Sequence, residues 1–177
     1  ELALSDYSHT TPQLEKLLED KPEHIRYRDS SDKSDEQFDF TLKPTEAVRN
    51  LGEVYNLSIQ RGTLTDEDRY IINEHIVTTI QMLETLPLPK ELVNVPEYAG
   101  GHHETMDGTG YPRSLTSEQL SVPAKIMAIA DIFEALTASD RPYKKAKTLS
   151  QSLSIMKQMA LDNHIDRDLF KLFIDSA

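Results

Sequence analysis

The chain has 177 residues with 19 basic and 30 acidic side chains, a formal net charge of −11, and no cysteine. That length suits one domain with a real core. The acidic balance excludes binding to long nucleic acid, which needs a basic footprint to displace counterions, and the missing thiols exclude disulfides and thiolate metal sites. Any metal ligands must be His, Asp or Glu. The chain starts at Glu1-Leu2 with no charged-then-apolar leader, so no signal peptide is expected. Its longest strongly apolar stretch, Ile126–Phe133, is far too short to span a bilayer, so no membrane contact is expected. Cytoplasmic residence is the expectation that fits both.

Residues 1–45 are polar, acidic and weakly periodic and read as a lead-in or insertion, with one short helix around 11–19. Phe38, Phe40 and Leu42 alternate with polar residues and predict a brief strand or hairpin arm. From Glu46 the pattern turns helical, and 46–177 is taken as the second unit. Thr65-Asp66-Glu67-Asp68 is a helix start, with Thr65 as N-cap and acids in the first turn. This helix should run to about Thr85, where Pro87 and Pro89 stop it, with Ile72, Ile76, Ile80 and Leu83 as its buried stripe. His75 flanks that stripe.

A short helix is predicted over 90–98, leading into Gly100-Gly101-His102-His103. The next has Ser121 as N-cap, Pro123 in its first turn and Ile126, Ile129, Phe133 and Leu136 on its core face. Asp131 rides on it, the one charge between Ile126 and Phe133. Two amphipathic helices follow, about 148–161 and 166–175, the second capped by Asp166. Strand signals are nearly absent, so the fold class is all-α.

Two adjacent imidazoles are neutral ligands suited to iron, zinc or manganese. A lone carboxylate inside an apolar helix is costly unless a cation compensates it. One metal would account for both, with His75, His102, His103 and Asp131 as candidate ligands drawn from three elements. Zinc without cysteine is uncommon in structural sites, so a catalytic or substrate-binding ion is favoured. Glu104 is open to three readings: a further ligand, a partner orienting an imidazole, or a turn acid. Asp107-Gly108-Thr109-Gly110-Tyr111-Pro112 reads as a rigid loop, its glycines allowing positive φ and Pro112 fixing the exit. Arg141, Lys144, Lys145 and Lys147 form the one basic cluster, which taken alone is a solvated loop.

The run His102-His103-Glu104-Thr105-Met106-Asp107-Gly108-Thr109-Gly110-Tyr111-Pro112 resembles the signature of the HD-GYP family, His-His-Glu-x-x-Asp-Gly-x-Gly-Tyr-Pro, in full. Gly62-Thr63-Leu64-Thr65, the 129–137 helix and Asp140-Arg141-Pro142-Tyr143 match the same family, so the likeness covers about 62–160. It implies a helical HD-superfamily bundle, incomplete here, with two or more divalent metals (Fe, Mn or Zn). The activity implied is hydrolysis of cyclic dinucleotides, typically cyclic di-GMP. Carried over by position, His75, His102 and His103 would hold one metal and Asp131 its neighbour, with Asp131 and Glu104 as the catalytic carboxylates. Arg141 and Lys144 would contact phosphate, and Gly110, Tyr111 and Pro112 would shape the lip of the substrate pocket.

The family's His-Asp pair should lie upstream of Gly62, and no His-Asp dipeptide occurs in this chain. Either the site is degenerate, or this is the C-terminal part of a longer protein; the start without Met favours the second. The expectation is a phosphodiesterase in the parent protein, with this chain weak or inactive alone. The alternative is a non-catalytic signalling module whose GYP loop contacts a partner such as a diguanylate-cyclase domain.

Overall fold

The structure is a computed structural model that describes residues 16–29, 38–139 and 146–176. Among these, helices dominate, joined by one two-stranded antiparallel sheet. The strands are β1 (Ile25–Tyr27) and β2 (Ala47–Asn50), paired Ile25 to Asn50, Arg26 to Arg49 and Tyr27 to Ala47, with an irregularity between Arg26 and Tyr27. The helices are α1 (Glu53–Leu57), α2 (Asp66–Glu84), α3 (Val95–Gly100), α4 (Val122–Thr137), α5 (Leu149–Leu161) and α6 (Arg167–Ser176). Each of α2 to α5 packs on the next, α6 also touches α4, and β2 lies against α2.

The helix starts follow side-chain chemistry. Thr65 accepts from the Asp68 N–H while Asp68 reaches back to the Thr65 N–H, so two otherwise orphaned donors are satisfied at the start of α2. Thr148 and Gln151 repeat the device on α5. Ser121 caps α4, and Asp166 Oδ1 accepts from the N–H groups of Asp168 and Leu169 at the start of α6.

Several local expectations are corrected. Residues 47–50, expected to be helical, form β2, because their backbone groups pair with β1 some twenty positions upstream, beyond the reach of local periodicity. The 90–98 helix divides into a 3-10 turn at Lys90–Leu92 and α3. Phe38, Phe40 and Leu42 do bury a face, but the segment pairs with no strand among the described residues. The helix expected at 11–19 lies outside the described residues up to position 15, and residues 16–19 are not helical. On α2 the core face is Tyr70, Ile76, Val77 and Ile80, whereas Ile72 is exposed; on α4, Ile126 is exposed and Ala124, Ala128 and Ile129 are buried.

Two apolar clusters result. Ile129, Met156, Ala160, Ile165 and Phe170 join α4, α5 and α6. Ile76, Val77 and Ile80 of α2 form the other, covered by Phe38, Phe40, Leu42 and Tyr111. The second underlies the site. A Cβ on Gly101 would meet the Ala124 Cβ at 2.8 Å, so only glycine lets the end of α3 approach α4 this closely. That approach aims the next two residues, His102 and His103, at α2.

Candidate metal centre

Three imidazoles converge. One ring nitrogen each from His75 on α2 and from His102 and His103 after α3 all lie within 4.8 Å of one another. His75 Nδ1 is 2.5 Å from the Ile72 carbonyl and His102 Nδ1 is 2.6 Å from the Ala99 carbonyl. A carbonyl only accepts, so both Nδ1 atoms carry the proton and both Nε2 atoms present a lone pair, that of His75 toward His103 Nε2, the arrangement in which a backbone partner orients a metal-binding imidazole. His103 Nε2 lies 3.1 Å from His75 Nε2. That spacing suits two ligands of one ion, whose bonds of about 2.0–2.1 Å separate neighbouring nitrogens by about 3.0–3.4 Å at octahedral to tetrahedral angles. The donor set therefore fits a divalent cation.

Burial is the largest influence on His103 and, with the neighbouring His102 and His75, lowers its pKa to about 4; the charge of Asp131 acts in the opposite direction. A neutral ring is the form that binds metal. Asp131 on α4 is exposed and not part of the three-nitrogen set, though its charge is felt at His103 and at Tyr111.

The loop after His103 is held from within. Glu104 is buried, and its two carboxylate oxygens accept from the Arg113 N–H at 2.7 Å and the Leu115 N–H at 2.9 Å. Burial raises its pKa, while those backbone donors pull the other way. Both carboxylate oxygens of Glu104 are thus engaged by the backbone of the turn that follows. Asp107 Oδ1 accepts from the Thr105 hydroxyl and from both the N–H and the hydroxyl of Thr109. These bonds hold its pKa down at about 2. Gly108 sits at φ +78°, and a Cβ on Gly110 would overlap the Glu104 backbone. Tyr111 stacks on His103, with ring centroids 4.9 Å apart and planes 20° from parallel. The Tyr111–Pro112 bond is cis and Pro112 is fully buried.

The structure thus brings His75, His102, His103, Tyr111, Pro112 and Gly110 into one neighbourhood, with Asp131 within electrostatic range. Arg141 and Lys144 lie outside the described residues. Sequence reasoning missed Arg113 and Thr41. Arg113 directly follows the signature and bridges three elements: its Nε donates to the Phe38 carbonyl at 3.3 Å, its guanidinium lies 5.5 Å from the Phe40 ring, and it pairs with Glu84 at 3.6 Å. The Phe38-x-Phe40-x-Leu42 alternation was the available signal for the segment it grips.

Among the described residues no helix is long and apolar enough to cross a membrane. A family model described as HD domain matches residues 12–169. The chain is 40% identical over 83 residues to the 3'3'-cGAMP-specific phosphodiesterase 1 of Vibrio cholerae, covering 47% of this chain and 19% of the relative. It is 34% identical over 116 residues to the cyclic di-GMP phosphodiesterase PA4108 of Pseudomonas aeruginosa, covering 66% and 27%. A cyclic di-GMP phosphodiesterase of Vibrio cholerae aligns over 176 residues at 28% identity, covering 97% and 33%. The chain therefore spans about a fifth to a third of these relatives' lengths. With the three-imidazole cluster beside a complete GYP signature, the match over most of its length shows that the chain belongs to the HD domain family, in its HD-GYP branch.

Proposed function

We propose that the chain is the GYP-bearing part of a metal-dependent phosphodiesterase acting on cyclic dinucleotides. The observation that carries this reading is the convergence of His75, His102 and His103 beside a loop locked by Glu104 and Asp107. A divalent ion bound there supplies Lewis acidity and a hydroxide at neutral pH. His75 and His102 hold their Nε2 lone pairs toward that position through their Nδ1 bonds to carbonyls. Asp131 contributes the nearby negative charge that a second cation would need. Tyr111 and Gly110 form the rim beside His103, with Pro112 buried behind them, and Arg141 and Lys144 pair with the phosphates. Iron, manganese and zinc all suit such a set of nitrogens and oxygens. Two or more ions, preference for cyclic di-GMP or 3'3'-cGAMP and a cytoplasmic setting belong to the same reading. The chain alone is weak or inactive, since it contains no His-Asp dipeptide.

That same absence favours one second reading, a non-catalytic signalling module that docks through the GYP loop. Metal analysis and turnover separate the two. The purified chain and a His102→Ala/His103→Ala variant are prepared anaerobically and assayed for iron, manganese and zinc. The longer parent protein is assayed on cyclic di-GMP and 3'3'-cGAMP. Near-stoichiometric metal lost in the variant, with hydrolysis by the parent, supports the phosphodiesterase. A parent loaded with metal that cleaves neither dinucleotide sinks it and leaves the docking module.

A further inference from the structure

Residues 38–42 lie far from the signature in sequence, yet they bind it directly. The Pro112 carbonyl accepts from the Thr41 N–H at 2.7 Å, the Thr41 hydroxyl at 3.0 Å and the Leu42 N–H at 3.3 Å. The same hydroxyl lies 2.7 Å from Ser114 Oγ. Phe38 and Phe40 stack with centroids 5.4 Å apart and, with Leu42, pack on Ile76, Val77 and Ile80. Arg113 grips Phe38 and Phe40 from the other side. Just downstream the segment is anchored again: Arg28 Nε donates to the Thr45 carbonyl at 3.0 Å, and its guanidinium lies over the Tyr70 ring and beside Glu74.

We propose that residues 38–42 form a strap that sets the place of the GYP loop, with the hydroxyl of Thr41, between the Pro112 carbonyl and Ser114 Oγ, as the positioning group that keeps Tyr111 over His103. Pro112 is next to Tyr111 and its side chain is fully buried, so a displacement of Pro112 is passed to the stacked ring. Core packing passes such a displacement on, because close-packed groups have few alternative positions. Thr41 touches neither the imidazoles nor any reacting group. The functional weight of the strap rests on the metal-centre reading, but its mechanical claim does not.

The test uses the full chain, whose six histidines give few ring resonances. Thr41→Val removes the hydroxyl with little change of shape, Thr41→Ser restores it, and Tyr111→Leu provides the unstacked reference. In metal-free protein, the His103 Cε1–H resonance of Thr41→Val should move toward its position in Tyr111→Leu, while those of His24 and His164 stay still. Thr41→Ser should return it. In titrations with cobalt(II) alone, Thr41→Val should bind about tenfold more weakly, the scale seen when groups behind metal ligands are altered. An unchanged His103 resonance in Thr41→Val overturns the proposal. If Thr41→Val does not fold, Phe40→Leu, which removes the ring under Arg113, takes its place with the same two outcomes. If the wild-type chain itself takes up no cobalt, the metal-centre reading fails while the resonance comparison still decides the strap.

Discussion

The phenol ring of Tyr111 lies 4.9 Å from the imidazole of His103 and nearly parallel to it. The stack covers one face of the imidazole, and burial of the ring, the largest cause, together with the neighbouring His102 and His75 lowers the His103 pKa to about 4.

A titration follows from this. In the unfolded chain a histidine protonates near pH 6.5. Between there and about pH 4 the unfolded state binds the extra proton and the folded state does not. Stability of the metal-free chain should therefore fall as pH drops through that window; above about pH 6.5 the His103 contribution is whole, and below about pH 4 its loss is complete. Histidine ring NMR gives the midpoint directly, and urea melts at several pH values give the slope. Tyr111→Leu should raise the midpoint by exposing the ring. A wild-type midpoint near 6.5 would contradict the burial argument.

Glu104→Ala should destabilise the chain by about 3 kcal/mol, because it leaves the part-buried N–H groups of Arg113 and Leu115 without the acceptor they share. At this size that is about 10 °C in the melting temperature, measurable by calorimetry. Glu104→Gln keeps one acceptor and should lose less. A Glu104→Ala protein as stable as wild type would show that the loop is held by something else.

Two glycines offer a paired comparison. A methyl on Gly110 overlaps the Glu104 backbone, so Gly110→Ala must displace the loop at a cost of about 1–3 kcal/mol, and it should disturb the His103 resonance. Gly62 has φ +84° and open space around it, so Gly62→Ala carries only the left-handed backbone penalty of about 1–2 kcal/mol. Its His103 resonance should not move. If both variants left that resonance in place, the close approach at Gly110 would not govern the site.

Metal addition should stabilise the folded chain through linkage. An ion at about a hundred times its dissociation constant adds about 2.7 kcal/mol when it binds only the folded state. Thermal melts with and without manganese or zinc measure this, and His102→Ala should abolish the difference. A gain that persists in His102→Ala would place the ion elsewhere.

Much of this was legible in the sequence wherever a local signal carries the structure. The caps at Thr65, Ser121 and Asp166 mark helix starts because a side-chain oxygen satisfies N–H groups two or three residues on. The His pair and His75 were nameable from residue chemistry. What stayed hidden depends on partners distant in the chain. Ala47–Asn50 is a strand only because Ile25–Tyr27 lies beside it. Ile72 and Ile126 match the helical period but face outward, since periodicity gives a stripe and not which neighbour covers it. Glu104 illustrates the same limit: its acid is visible in the motif, but its two amide partners lie nine and eleven residues further on.

The bonds between the strap and the GYP loop close separations of 71, 73 and 75 residues. Contacts that close long stretches of chain meet their entropy cost before they repay it, so they form slowly. Helices α2 and α4 can nucleate on their own caps, whereas Pro112 and Arg113 find their partners only after residues 38–42 have come back across α2. The GYP loop is therefore a late-setting part of this molecule. Its amides, above all those of Thr41, Arg113 and Leu115, should acquire protection last during refolding and exchange ahead of the Ile76–Ile80 helix in the native state.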